Sequence, residues 1–172
     1  MAQQWQETGG AGDAGETGGA ADGPLPTRIG QAVILHRGGD REEARNRLAR
    51  LWEETGGTGD LFHRCAIAHY LADTQDDPAA ELEWDRRALA AAEALTGDRA
   101  AVRSLLPSLH LNLAADHAGL GDHAAARHAL ARARGAAGEL PDDAYGAGVR
   151  AAIERLALRL AAAPGGPPDR SP

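Results

Sequence analysis

PSLHLNLAADHAGLGDHAAARHALARA, residues 107–133, reads as two short amphipathic helices joined by the turn Gly119-Leu120-Gly121-Asp122. Glycine ends the first periodic run, and an aspartate suited to capping opens the second. Two earlier stretches repeat the spacing. In this pair His110-x2-Leu113-Ala114-x2-His117 is followed by Ala126-x3-Leu130. Before it come Arg64-x2-Ile67-Ala68-x2-Leu71 with Ala80-x3-Trp84, and Arg28-x2-Gln31-Ala32-x2-Leu35 with Ala44-x3-Leu48. Each time an Ala on the first helix precedes an Ala on the second by twelve residues. Small side chains there let two antiparallel helices approach closely, and the larger residue four positions on fills the gap to the next pair.

Composition agrees with stacked helix pairs. The 172 residues are long enough for one domain with a core, yet aromatics make up only 3 %, so burial rests on Ala and Leu. Val and Ile are confined to Ile29, Val33, Ile34, Ile67, Val102, Val149 and Ile153, too few for a sheet. The expected class is all-α. All 18 basic residues are Arg; the bland reading is a GC-rich genome, and the lack of Lys excludes Schiff-base chemistry. Residues 1–26 carry four acids and no base, whereas residues 27–163 carry 20 acids against 17 Arg. A weakly acidic domain does not neutralise phosphates, so nucleic acid is not an expected partner. Cys65 is the only cysteine, which rules out an internal disulfide and a thiolate zinc cluster. No apolar run approaches ~20 residues and no leader pattern opens the chain, so the expectation is a cytoplasmic protein without a membrane partner.

Taken in order, residues 1–26 hold seven Gly and almost nothing apolar, the signature of a disordered acidic tail, with Trp5 its one sticky residue. A helical-repeat domain is expected over 27–163, with Thr27 as its first N-cap, and a Pro/Gly-rich disordered tail over 164–172. Gly38-Gly39-Asp40 separates the first two helices, Asp60 opens the third, and Asp77-Pro78 starts the fourth. Residues 99–106 read as an extended helical turn. Pro107 inside a continuous helix would cost ~3 kcal/mol, so a break is expected there, with Pro107 starting the third pair. A last helix from about Asp142 to Leu160 presents Tyr145, Val149, Ile153, Leu156 and Leu160 on one side.

The three spacings resemble the tetratricopeptide repeat, W-x2-L-G-x2-Y…A-x3-F…P. The resemblance covers about residues 27–140 and implies three antiparallel helix pairs stacked as a short right-handed solenoid, with the last helix as a cap. Here Ala replaces the motif's Gly, His110, Arg64 or Arg28 takes the first aromatic position, and the closing Pro is out of place. The repeats recur after 36 and then 46 residues, so the second junction carries an insertion. LFHRCAIAHYLAD, DDPAAELEWDRRAL and SLHLNLA also look like small uncharacterised tetratricopeptide proteins of GC-rich bacteria, a group without an activity to carry over.

The resemblance implies that first helices line a concave groove. Its positions would be Ile29, Val33, His36 and Arg37, then Phe62, Cys65, His69 and Asp73, then Ser108, Leu111, Asn112 and Ala115. Among them His36, Arg37, His69, Asp73 and Asn112 form a polar cluster suited to a peptide, with Arg37 for a carboxylate and Asn112 for the backbone. An Asn just before the Leu-Gly pair contacts a ligand carboxylate in such repeats, and Asn112 before Leu113-Ala114 matches it; the accompanying Lys residues are missing. The alternative is a solvated or internally bonded groove. His69 and Asp73, four apart, could ligate zinc or act as a base, or Asp73 could simply hydrogen-bond His69. Glu81 and Asp85 read as a solvated convex face. The expectation is a non-enzymatic module with a protein or peptide partner, no catalytic residue, metal or cofactor, and possible homo-oligomerisation. A small-ligand or metal-binding role for the His/Asp/Asn cluster, or a self-associating adaptor, is the alternative.

Overall fold

The computed structural model describes residues 23–56, 60–95 and 99–163. The tails expected at 1–26 and 164–172 fall outside the described residues, apart from 23–26. Regular structure among the described residues is helical: α1 (Leu25–Arg37), α2 (Arg41–Thr55), α3 (Leu61–Asp73), α4 (Pro78–Glu93), α5 (Arg99–Gly119), α6 (His123–Ala136), a 3-10 turn (Ala137–Glu139) and α7 (Ala144–Ala162).

Aspartates start most of the helices. Asp40, Asp60, Asp77, Asp122 and Asp143 accept from the backbone N–H groups of Glu43, Phe62, Ala79, Ala125 and Gly146. Each satisfies a donor that has no partner within its helix, a contribution of about 1 kcal/mol. The first helix departs from expectation. Thr27 is not its cap; α1 begins at Leu25 after Pro24, with no side-chain cap. Pro26 lies in the first turn, where a missing N–H removes no helical bond.

The break expected at Pro107 is absent. Helix α5 runs unbroken through it, and the extended turn before it forms the helix's opening turns. Pro107 is fully buried, and Leu105 and Leu109 on either side pack with Cys65, Ala68, Ala88 and Ala92. Burying each leucine stabilises the fold by about 1.5–3 kcal/mol, enough to offset the proline's cost.

Turns of a few residues join α1 to α2, α3 to α4 and α5 to α6, and the two helices of each pair pack closely. A three-residue link reaches about 10 Å, whereas a 13-residue helix such as α1 is about 20 Å long, so paired helices are antiparallel. Of the six Ala residues expected at close helix approaches, Ala32, Ala44, Ala68, Ala114 and Ala126 are completely buried, and Ala80 is only partly buried. Each second helix also packs on the next first helix, and α1 touches α3 as α5 touches α7.

The core is a row of three clusters. Ile29, Val33, Leu48, Leu51, Ile67 and Leu71 join α1, α2 and α3. Cys65, Ala68, Ala88, Ala92, Leu105 and Leu109 join α3, α4 and α5. Leu113, Ala126, Leu130, Val149, Ile153 and Leu156 join α5, α6 and α7. Ile29, Val33 and Cys65 therefore belong to the core, a correction to their placement in the groove.

Candidate functional site

Helix α3 has no solvated face over its middle: every residue from Cys65 to Ala72 is buried. Apart from His69, the run from Cys65 to Ala72 is made of small, aliphatic and aromatic side chains, which suits a helix enclosed by neighbours. His69, 2 % exposed, must therefore find its partners inside the protein. Three helices supply them, each through two residues four apart and so on one helical face: His69 and Asp73 from α3, Glu81 and Asp85 from α4, Asn112 and Asp116 from α5.

The Asn112 amide is the hinge of this cluster. Its Nδ2 lies 3.2 Å from His69 Nδ1 and donates to Asp85 Oδ1 at 3.4 Å. With neutral His69, Nδ1 accepts from Asn112 and the Nε2 proton points toward Asp73. His69 Nε2 stands 3.8 Å from Asp73 Oδ2, and Nδ1 stands 3.7 Å from Asp85 Oδ1. The Asp73 contact is thus electrostatic and too long for the hydrogen bond that the sequence suggested. Solvent reaches the cluster from the side of Asp73, whose side chain is 39 % exposed.

Burial and crowding set the protonation of these groups. Burial pulls His69 down, but the facing carboxylates of Asp85 and Asp73 favour its charged form, outweigh burial and leave its pKa raised. Burial raises Asp73 above the usual carboxylate range, against the favourable charges of His69 and His36. Glu81 is raised by burial and by the charges of Asp85 and Asp73. Asp116 is pushed up to about 8 by burial, by the charges of Asp85 and Glu81, and by a hydrogen bond to Asp85. Cys65, one turn before His69, is pushed up to about 12 by burial and by Asp85, so it stays a thiol and not a nucleophile.

The residues expected in the groove divide into those that meet and those that do not. His69, Asp73 and Asn112 come together, and His36 is near enough for its charge to act on Asp73. Arg37 is exposed and acts on Tyr70. Phe62 packs beside the α3–α4–α5 core and stands edge-on to His63 at 5.9 Å. Ser108 is buried, donates to the Leu105 carbonyl at 2.9 Å and accepts from Tyr145 at 3.0 Å, so it joins α5 to α7 and does not line a groove. The Asn112 amide N–H groups, expected to hold a peptide backbone, serve His69 and Asp85.

Sequence reasoning missed the carboxylates of α4 and α5. Asp85 is 2 % exposed, so the solvated face expected at Glu81 and Asp85 is corrected at Asp85, which is internal, while Glu81 one turn earlier stays partly exposed. Asp116 follows Asn112 by four residues, as Asp73 follows His69, and that shared offset was the available signal.

No protein-family model, curated protein or solved structure matches the chain. Among the described residues no group of three or more His, Cys, Asp or Glu is placed to hold a metal ion. No described helix is long and apolar enough to cross a membrane.

Proposed function

We propose that this chain is a tetratricopeptide-like protein, three helix pairs stacked as a short right-handed solenoid and closed by α7, that binds a peptide segment of a partner protein without catalysing a reaction. The row of three core clusters, each built from helices consecutive in the chain, supports the repeat reading, because in such arrays each unit packs only on its neighbours. The observation that carries the binding reading is the polar run across the three first helices. His36 and Arg37 end α1, Asp73 ends α3 beside His36, and Asn112 on α5 bonds to His69 behind Asp73. An extended peptide crossing α1, α3 and α5 would meet alternating charge there. Asp73 and Glu81 take a Lys or Arg of the partner, and Arg37 takes a carboxylate or carbonyl.

Selection from a random peptide library displayed on phage tests this reading. The expected result is a recurrent motif containing a basic residue, whose binding falls at least about ten-fold, ~1.4 kcal/mol, in Asp73→Asn and in Arg37→Ala at unchanged thermal stability. Failure to enrich any motif, or binding indifferent to both substitutions, overturns it.

A further inference from the structure

Helix α6, HAAARHALARARGA, carries Arg127, Arg132, Arg134, His123 and His128 and no acid, inside a domain whose acids outnumber its arginines. Two of its arginines are engaged. Arg134 donates to both oxygens of Glu154 at 3.0 and 3.2 Å, and Arg127 donates to the Leu160 carbonyl at 3.2 Å. Arg132 differs. It donates no hydrogen bond among the described residues, and the Glu93 carboxylate it pairs with on α4 stands 3.7 Å away, too far for one.

Arg132 opens onto a cavity of about 410 Å3 between α5 and α6, a size within the range of small-molecule sites. Leu106 and His110, one turn apart on α5, form one wall, and His128, Ala131, Arg132 and Gly135 of α6 form the other. His110 is 6 % exposed and makes no hydrogen bond among the described residues, although a buried imidazole needs partners for its ring nitrogens. The cavity is where a partner would reach it. Small residues keep the space open: a methyl group at Gly135 would meet nothing within 4 Å. His110 and Asn112 lie two residues apart, about 200° around α5. The cavity therefore opens on the face of α5 opposite the His69 cluster and is independent of peptide binding there.

We propose that the α5–α6 cavity binds a small organic acid, its carboxylate held by Arg132, His128 and the His110 ring, its apolar body lying over Leu106, Ala131 and Gly135. The charge balance selects a monoanion. Burial and the charges of Arg132 and His128 hold His110 below its ordinary value, against the charge of Glu93, so its ring is neutral at pH 7 and offers one N–H. Arg132 is then the permanent cation of the lining. A phosphate dianion beside Glu93 would leave that cation outnumbered, whereas a carboxylate simply takes the place of Glu93. The Glu93 side chain is 52 % exposed, so returning it to water costs little. Leu106 and Ala131 offer no polar partner, and they favour an apolar body over a second charged or hydroxylated group.

Octanoate titrated into the isotopically labelled full chain tests this, with octanol and octylamine alongside. Octanoate is expected to move the amide signals of residues 106–110 and 128–136 together with the His110 ring protons, at one midpoint concentration. Octylamine should leave them in place. Arg132→Gln should weaken octanoate at least about ten-fold. Gly135→Leu fills the cavity with a better helix former and should weaken it equally at undiminished thermal stability. Equal binding of octanol, indifference to both substitutions, or shifts confined to the helices around His69 overturn the proposal. So does tighter binding of a short peptide ending in leucine, which would make the cavity a reader of chain ends.

Discussion

Arg64→Ala should be among the most damaging single changes outside the core. Its guanidinium lies 3.7 Å above the Trp52 ring. From there Nη1 donates to Thr55 Oγ1 at 3.2 Å, to the Gly56 carbonyl, and at 3.4 Å to the Trp52 carbonyl. These groups form the carbonyl end of α2, whose last turn has no basic residue of its own. Arg64, arriving from α3, is therefore both the cation at the negative end of that helix and a donor to oxygens of its last turn, the Trp52 carbonyl shared with the Thr55 hydroxyl. A charged hydrogen bond to a carbonyl contributes about 1.5–3 kcal/mol, stacking on Trp52 about 0.5–1, and the helix end about 0.3–1. The three bonds share one nitrogen and the side chain is partly exposed, so a total near 2–4 kcal/mol is expected. For a helical domain of this size that is a fall of about 10 °C in thermal midpoint. Arg64→Lys keeps the charge and loses the planar stack, and should recover about half of the loss. Trp52 also stands edge-on to Trp84 at 5.2 Å, so its fluorescence should report the same loosening. A fall below about 2 °C for Arg64→Ala, or equal effects of Ala and Lys, would refute the assignment.

Further outcomes follow from the same packing. Leu109→Ala opens a cavity in the α3–α4–α5 core and should cost about 2–5 kcal/mol by urea titration. Pro107→Ala, equally buried, should change stability by less than about 1 kcal/mol, because restoring a helical N–H offsets the lost ring. On α7, a methyl group at Gly146 would run into the Pro141 carbonyl, while one at Gly148 meets open space. Gly146→Ala should therefore cost about 1–3 kcal/mol and Gly148→Ala should stabilise by up to about 1 kcal/mol, a contrast that circular dichroism melts would resolve. Cys65, held at about 12 by burial and Asp85, should resist iodoacetamide at pH 8 in the folded chain and react promptly in denaturant.

Local chemistry along the chain specifies the helices well. Alternation of Asp, Gly and periodic Ala and Leu marks where most helices start and stop, because capping and propensity act within a few residues and need no distant partner. The twelve-residue Ala offset likewise foretells close helix approaches, since a short turn returns the second helix onto the first. Pro107 escapes this logic. Its cost is local, but the leucines that outweigh it gain their burial from α3 and α4, which lie far away in sequence.

The site divides on the same ground. His69, Asp73 and Asn112 stand out by residue type and register, so their meeting was within reach of the repeat alignment. Asp85 did not stand out, because an acid flanked by Glu83, Arg86 and Arg87 looks like any solvated helical face. Its inward rotation follows from how α4 packs between α3 and α5. Asp116 becomes distinctive only once α5 sets it against Asp85. Helix content and pairing are written in spacings of three to twelve residues, where covalent connectivity confines the neighbours. Which polar groups meet in the interior depends on contacts across 27 to 43 residues, and only packing in three dimensions brings those together.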